Sequence, residues 1–116
     1  MNYVDGFLCA VPTANKDAFT EHAKKFGALF KEFGALTVVD CWGDDVPEGK
    51  LTSFTMAVKR EENESVAFSW ITWPSKAVRD EAWKKLMEDE RMKTAGNPPF
   101  DGKRMIYGGF QMIAQS

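Results

Sequence analysis

The stretch Asp40-Cys41-Trp42-Gly43-Asp44-Asp45-Val46-Pro47-Glu48-Gly49-Lys50 packs three aspartates, a glutamate, a cysteine and a tryptophan into eleven residues. Carboxylates at this density could hold a hard cation or share acid–base work, since oxygen ligands suit Ca²⁺ and neighbouring acids shift each other's pKa. A Ca²⁺ loop needs ligands at D-x-[DN]-x-[DN]-G with a glutamate further on. Asp40, Asp44, Asp45 and Glu48 do not have that spacing. The stretch is therefore expected to be a strand end running into a solvated turn, with no metal and no cofactor. Asp40 differs from its neighbours. Alternation along an extended segment puts it on the face of Trp42 and Asp44, with Cys41 and Gly43 opposite. A carboxylate inside a strand is disfavoured, so one found there meets water, a partner or a ligand.

Asp5, in Tyr3-Val4-Asp5-Gly6-Phe7, is a second acid in an apolar run, and Gly6 beside it permits close approach of backbone or ligand. Two carboxylates in one desolvated space could divide acid and base roles. The competing reading has each held by Lys or Arg across a dimer. His22, the single histidine, lies between Phe19 and Phe26 at helical spacing. With no serine or cysteine tied to it by motif, it reads as a packed residue rather than a catalyst or haem ligand. Cys9 and Cys41 sit in apolar runs without Cys-x-x-Cys spacing. That suits free thiols in a reducing, cytoplasmic setting better than a Cys9–Cys41 bridge. Trp42, Trp70 and Tyr107 fall in extended segments, where they could line a cavity with a polar handle or fill an interface.

The elements that must position these residues read as follows. Tyr3–Val11 is rich in β-branched and aromatic residues and stops at Pro12, so it is a first strand. A helix starts within Pro12–Asn15 and runs to about Phe33, with Gly34 as its stop. Phe19, Ala23, Phe26, Phe30 and Phe33 recur at steps of four and three, one apolar stripe. Leu36–Trp42 is a second strand, residues 43–50 a turn, Ser53–Lys59 a short helix, and Glu61–Glu64 a charged turn. Val66–Trp73 is a third strand ended by Pro74. Ser75 caps a helix to about Glu90, with Val78, Ala82 and Leu86 on one face. After a Gly- and Pro-containing loop, Met105–Ala114 is the last strand. Strand–helix–strand occurs twice, which is the split βαβ, ferredoxin-like α+β arrangement: one four-stranded antiparallel sheet with both helices on one face. Strands one and three pair centrally, with two beside three and four beside one. Asp5, Asp40, Trp42, Trp70 and Tyr107 are then expected on the face away from the helices. Strand three is apolar on both sides, so that face is expected to pack on a second copy, a homodimer.

Composition narrows the function classes. The 116 residues suit one domain, residues 1–116, with 44% hydrophobic and 28% charged residues, an ordinary globular balance. The net charge of -2 argues against nucleic acid or an anionic membrane as partner, since both need a basic face. No run of about 18 apolar residues is present. The opening Met1-Asn2-Tyr3-Val4-Asp5-Gly6 lacks a basic region, so it reads as a strand and not as a secretory leader. An RNA-recognition module has the same element order. The third strand, Val66-Ala67-Phe68-Ser69-Trp70-Ile71-Thr72-Trp73, carries no basic residue, however, so charge weighs against that reading.

Several segments together resemble a known family. YVDGFLCAVP, FKEFGAL, DCWGDDVPEGK, FSWITWPSKAVRDEAW and PFDGKRMIYGGF are similar, in order and over nearly the whole chain, to the YbaA-like family of bacterial proteins of unknown function. The resemblance implies a dimeric α+β barrel, in which two ferredoxin-like protomers pack sheet against sheet. That superfamily includes quinol-type and haem-dealing monooxygenases and small-molecule binders. Some YbaA-like proteins carry labels tying them to signal-recognition-particle RNA, which the charge argument above does not favour. The family brings a fold and no established reaction. The functional expectation is a small cytoplasmic homodimer binding a partly aromatic small molecule between its sheets. A ligand-free structural dimer is the alternative, with a cofactor-independent monooxygenase-like or isomerase-like enzyme, or an RNA-binding module, further behind.

Overall fold

Residues 2–116 are described by a computed structural model. Strand β1 spans Tyr3–Pro12. The fixed φ of Pro12 ends it and leads through a 3-10 turn, Thr13–Asn15, into helix α1, Lys16–Glu32. The helix stops where Gly34 takes φ +115, a conformation that favours glycine. Its Phe19, Phe26 and Leu29 are buried, as the stripe requires. Strand β2 is Thr37–Trp42. An insertion follows that holds the four-residue helix α2, Phe54–Ala57, capped by the Ser53 hydroxyl, which accepts from Met56 N–H. Strand β3 is Glu64–Trp73. Helix α3, Lys76–Glu88, begins at Ser75, whose hydroxyl accepts from Val78 N–H at 3.2 Å. Helix α4, Glu90–Lys93, and a 3-10 turn, Gly102–Arg104, lead to strand β4, Ile106–Gln111.

The sheet is antiparallel in the order β2-β3-β1-β4, a ferredoxin-like α+β fold. Register fixes the faces. Tyr3, Asp5, Phe7 and Cys9 stand opposite Trp73, Ile71, Ser69 and Ala67. Val38, Asp40 and Trp42 continue those rows on β2, and Tyr107, Gly109 and Gln111 continue them on β4. This set faces α1 and α3: Phe19 of α1 packs with Cys9, Val11 and Ala67, and Val78 and Ala82 of α3 pack with Tyr3 and Trp73. Phe26, Leu29 and Leu86 join the two helices to each other.

The opposite face carries Val4, Gly6 and Leu8 of β1 beside Phe68, Trp70 and Thr72 of β3. The insertion covers one end of it. Val58 is fully buried there against Ala10 and Val66. The rest is open, with Phe68 43%, Ile106 42% and Phe110 60% exposed. Phe110 lies across Gly6 and Gly108, where an added Cβ would stand 3.7 and 3.4 Å from its ring.

Boundaries differ from the sequence expectations where pairing decides them. β3 starts two residues early because β1 runs on to Pro12, which pairs with Glu64. β4 ends at Gln111 because its partner Tyr3 begins β1. The second long helix is broken at Asp89, which is extended and caps α4 by accepting from Arg91 N–H at 2.8 Å.

Candidate functional site

Asp5 is an acid held within the molecule's core. It is 3% exposed. Oδ2 accepts from the indole N–H of Trp73 at 2.9 Å and of Trp83 at 2.9 Å. Oδ1 accepts from Arg79 Nη2 at 2.7 Å and Nε at 3.1 Å. Arg79 and Trp83 are four residues apart on α3 and so reach the same spot. The guanidinium also lies 5.3 Å from the Tyr3 ring centre. Gly109 makes room, since a Cβ there would stand 2.6 Å from the Tyr3 hydroxyl and 2.9 Å from Arg79 Nη2. Hydrogen bonding to Asp5 raises the Arg79 pKa further above its ordinary value. With its oxygens spoken for, Asp5 ties β1, β3 and α3 together and offers nothing to a substrate. Its cation comes from its own chain.

Asp40 is in a different setting. It is exposed on edge strand β2, and among the described residues its side-chain hydrogen bond is with the Ser69 hydroxyl, which donates at 2.6 Å. It forms one wall of a cleft of about 400 Å³ between α1 and β2. α1 runs antiparallel to β2, so Phe19 meets Trp42 at one end, ring centres 5.8 Å apart, and Gly27 meets Val38 at the other. Ala23, Gly27 and Ala28 keep the helix wall low, while Lys24 and Lys31 bring positive charge to that wall. Lys16 places its ammonium 5.9 Å from the Trp42 ring centre.

The five residues expected in one space are thus divided. Asp40 and Trp42 share the α1–β2 cleft. Asp5 is on the same helix-facing side but sealed beneath α3. Tyr107 is opposite Phe7 on the outer strand and 74% exposed. Trp70, opposite Gly6, lies on the open face and packs with Phe68 at 5.5 Å.

The other candidates find local explanations. His22 is half-buried against Phe26 and Phe100, ring centres 4.5 and 5.9 Å away. Burial lowers its pKa, partly opposed by the charge of Asp40. Cys9 and Cys41 are free thiols. β3 separates their strands, and register puts them on opposite faces. Burial, and then the charge of Asp40, push the Cys9 thiol up to about 12. Glu48 is tied to Arg60 Nη2 and to the Thr55 hydroxyl, each at 3.2 Å, as a staple of the insertion. Asp44 and Asp45 are exposed. Among the described residues no three acids, histidines or cysteines gather into a metal-holding group, and no helix is long and apolar enough to cross a membrane. Sequence reasoning passed over Glu64, which is buried and paired with both terminal nitrogens of Arg104 at 2.7 Å. That hydrogen bonding lowers its pKa. Lys24 and Lys31 were also passed over, although they are seven residues apart on one helix face.

Comparison with known proteins agrees with this architecture. A solved Bacillus cereus structure, described as a candidate antibiotic biosynthesis monooxygenase, superposes with TM-score 0.57 over 99% of this chain and 96% of that one. At 14% identity the likeness is one of fold. The uncharacterized protein YbaA of Escherichia coli strain K12 is 64% identical over 114 residues, 97% of each chain. The uncharacterized YbaA of Shigella flexneri shows the same identity and coverage. The sequence pattern described as "Protein of unknown function (DUF1428)" matches residues 2–102, and the chain belongs to that family.

Proposed function

We propose that the chain works as a homodimer joined through its open sheet face, and that each subunit binds a small, partly aromatic molecule in the cleft between α1 and β2. The cleft carries the reading. Its volume of about 400 Å³ lies in the roughly 300–1,000 Å³ range usual for small-ligand sites. It combines an aromatic end, Phe19 and Trp42, with an acid on one wall and lysines on the other. The open sheet face has the opposite character. Phe68, Trp70, Ile106 and Phe110 offer apolar area, with no carboxylate among them to orient a ligand, which suits an interface. Binding without chemistry is favoured because the partner of Asp40 is a serine hydroxyl, not a second acid or a base that would give it a catalytic role.

Ligand-observed NMR with a library of aromatic fragments tests this, using the wild type and Ala28→Phe, which fills the cleft. Fragments are expected to bind the wild type and to be lost from a folded Ala28→Phe. Fragments that survive Ala28→Phe but vanish in Trp70→Ala would move the site between the sheets. No binding at all would leave a purely structural dimer.

A further inference from the structure

The cleft carries unlike charge on its two walls, and this selects a class of ligand. Among the described residues, the acid on the β2 wall is Asp40, whose Ser69 contact fixes the carboxylate while leaving acceptor positions open. On the α1 wall the charged groups are Lys24 and Lys31. Among the described residues Lys24 pairs with Glu21, 3.6 Å away and solvent-exposed, a contact that a ligand can replace at little cost. The aromatic residues are not spread along the cleft. They are gathered at the end where Phe19 meets Trp42, one strand step of the same face beyond Asp40. Facing α1, Asp40 therefore lies between the aromatic end and the Val38 end.

A single anion would meet the lysines but also Asp40. A single cation would meet Asp40 but also Lys16, Lys24 and Lys31. A neutral ring would leave both walls unanswered. Resting on the cleft reading above, we propose that the ligand is an aromatic zwitterion, an aromatic α-amino acid. Its ring packs on the accessible part of Trp42, at the end of the cleft that the buried Phe19 backs, its ammonium donates to Asp40, and its carboxylate accepts from Lys24 or Lys31. The two charges of an α-amino acid leave one carbon in different directions, which matches groups on opposite walls. Charge-assisted hydrogen bonds at both ends then orient the ring, the apolar part setting affinity and the walls setting selectivity.

The experiment titrates L-phenylalanine, 3-phenylpropionate and phenethylamine against the full chain by NMR, the last two each lacking one charge. L-phenylalanine is expected to bind about fivefold or more tighter than either, the size of one charge-assisted contact in an open-sided cleft. In Asp40→Asn the advantage over 3-phenylpropionate is expected to disappear. In Lys24→Gln/Lys31→Gln the advantage over phenethylamine is expected to disappear. If the singly charged compounds bind the wild type as well as L-phenylalanine, and Ala28→Phe abolishes all three, the cleft stands and the zwitterion proposal falls. If none binds while other aromatic fragments are lost in Ala28→Phe, the proposal falls in the same way. If no aromatic compound senses Ala28→Phe, the cleft reading itself is overturned.

Discussion

Two aspartates of the same type, both inside strands, have opposite physical roles, and substitution separates them. Asp5→Asn keeps the shape but takes from Arg79 its buried charged partner, leaving only the exposed Asp80 on Nη1 at 3.0 Å, and gives the buried site an amide N–H₂ among donors. Breaking a buried pair of this kind costs about 3–5 kcal/mol. Asp40→Asn removes a charge that is exposed and held by one hydroxyl, so its cost is expected to stay within about 0.5 kcal/mol. Urea denaturation of the two variants checks this, and equal losses would show that the cleft acid is structural. In the sequence, alternation correctly put Asp40 and Trp42 on one face of their strand. It did not say which face the helices cover, because β1 is apolar on both sides: Tyr3, Phe7, Cys9 and Val11 on one, Val4, Leu8 and Ala10 on the other. Pairing across strands decides that, and pairing is non-local. The visible clue was Arg79 with Trp83, an i,i+4 pair beside the apolar stripe of α3, whose side chains can reach one acceptor.

At the scale of elements the sequence was most legible where a local rule is strong. The phenylalanine stripe of α1, the Ser75 cap and the Gly34 stop each rest on neighbours three or four residues away, and the structure has all of them. The break at Asp89 was not legible, since Met87-Glu88-Asp89-Glu90-Arg91-Met92-Lys93 contains neither Gly nor Pro. It is held by tertiary contacts instead: Arg91 bonds Asp89 and reaches across to Glu32 of α1. The stripe gives a direct test of helix docking. Phe26 is 9% exposed and packs with Leu29 and Leu86, with Met92 and Ala95 beside them. Phe26→Ala leaves a void between α1 and α3 that the stiff helices cannot close, and a loss of about 3 kcal/mol or more is expected. Chemical denaturation followed by circular dichroism measures it. An unchanged midpoint would mean that the two helices are not held together through this residue.

For the whole molecule the deciding feature is a sheet covered on one face and bare on most of the other. The insertion protects only the end at Ala10, Val58 and Val66. Beyond it Phe54, Phe68, Ile106 and Phe110 are each more than two-fifths exposed, in the same region as Trp70, Val4 and Leu8. Side chains of this size in water lose roughly 25 cal/mol for each Å² that burial would remove from solvent. A stable dimer interface takes on the order of 800 Å² per subunit. A second copy meeting face to face covers both patches at once, because a two-fold contact presents the same residues from each side. Light scattering is therefore expected to give about twice the 13.1 kDa chain mass at micromolar concentration. Phe110→Glu puts a charge at the most exposed ring of the patch, and its burial in an interface would be unfavourable without a partner. This variant is expected to run as a monomer with the helical signal retained, because Phe110 rests on Gly6 and Gly108 and takes no part in the helix-side core. A wild-type mass near 13.1 kDa at that concentration would remove the dimer. A Phe110→Glu protein that stays folded and dimeric would move the interface to another face.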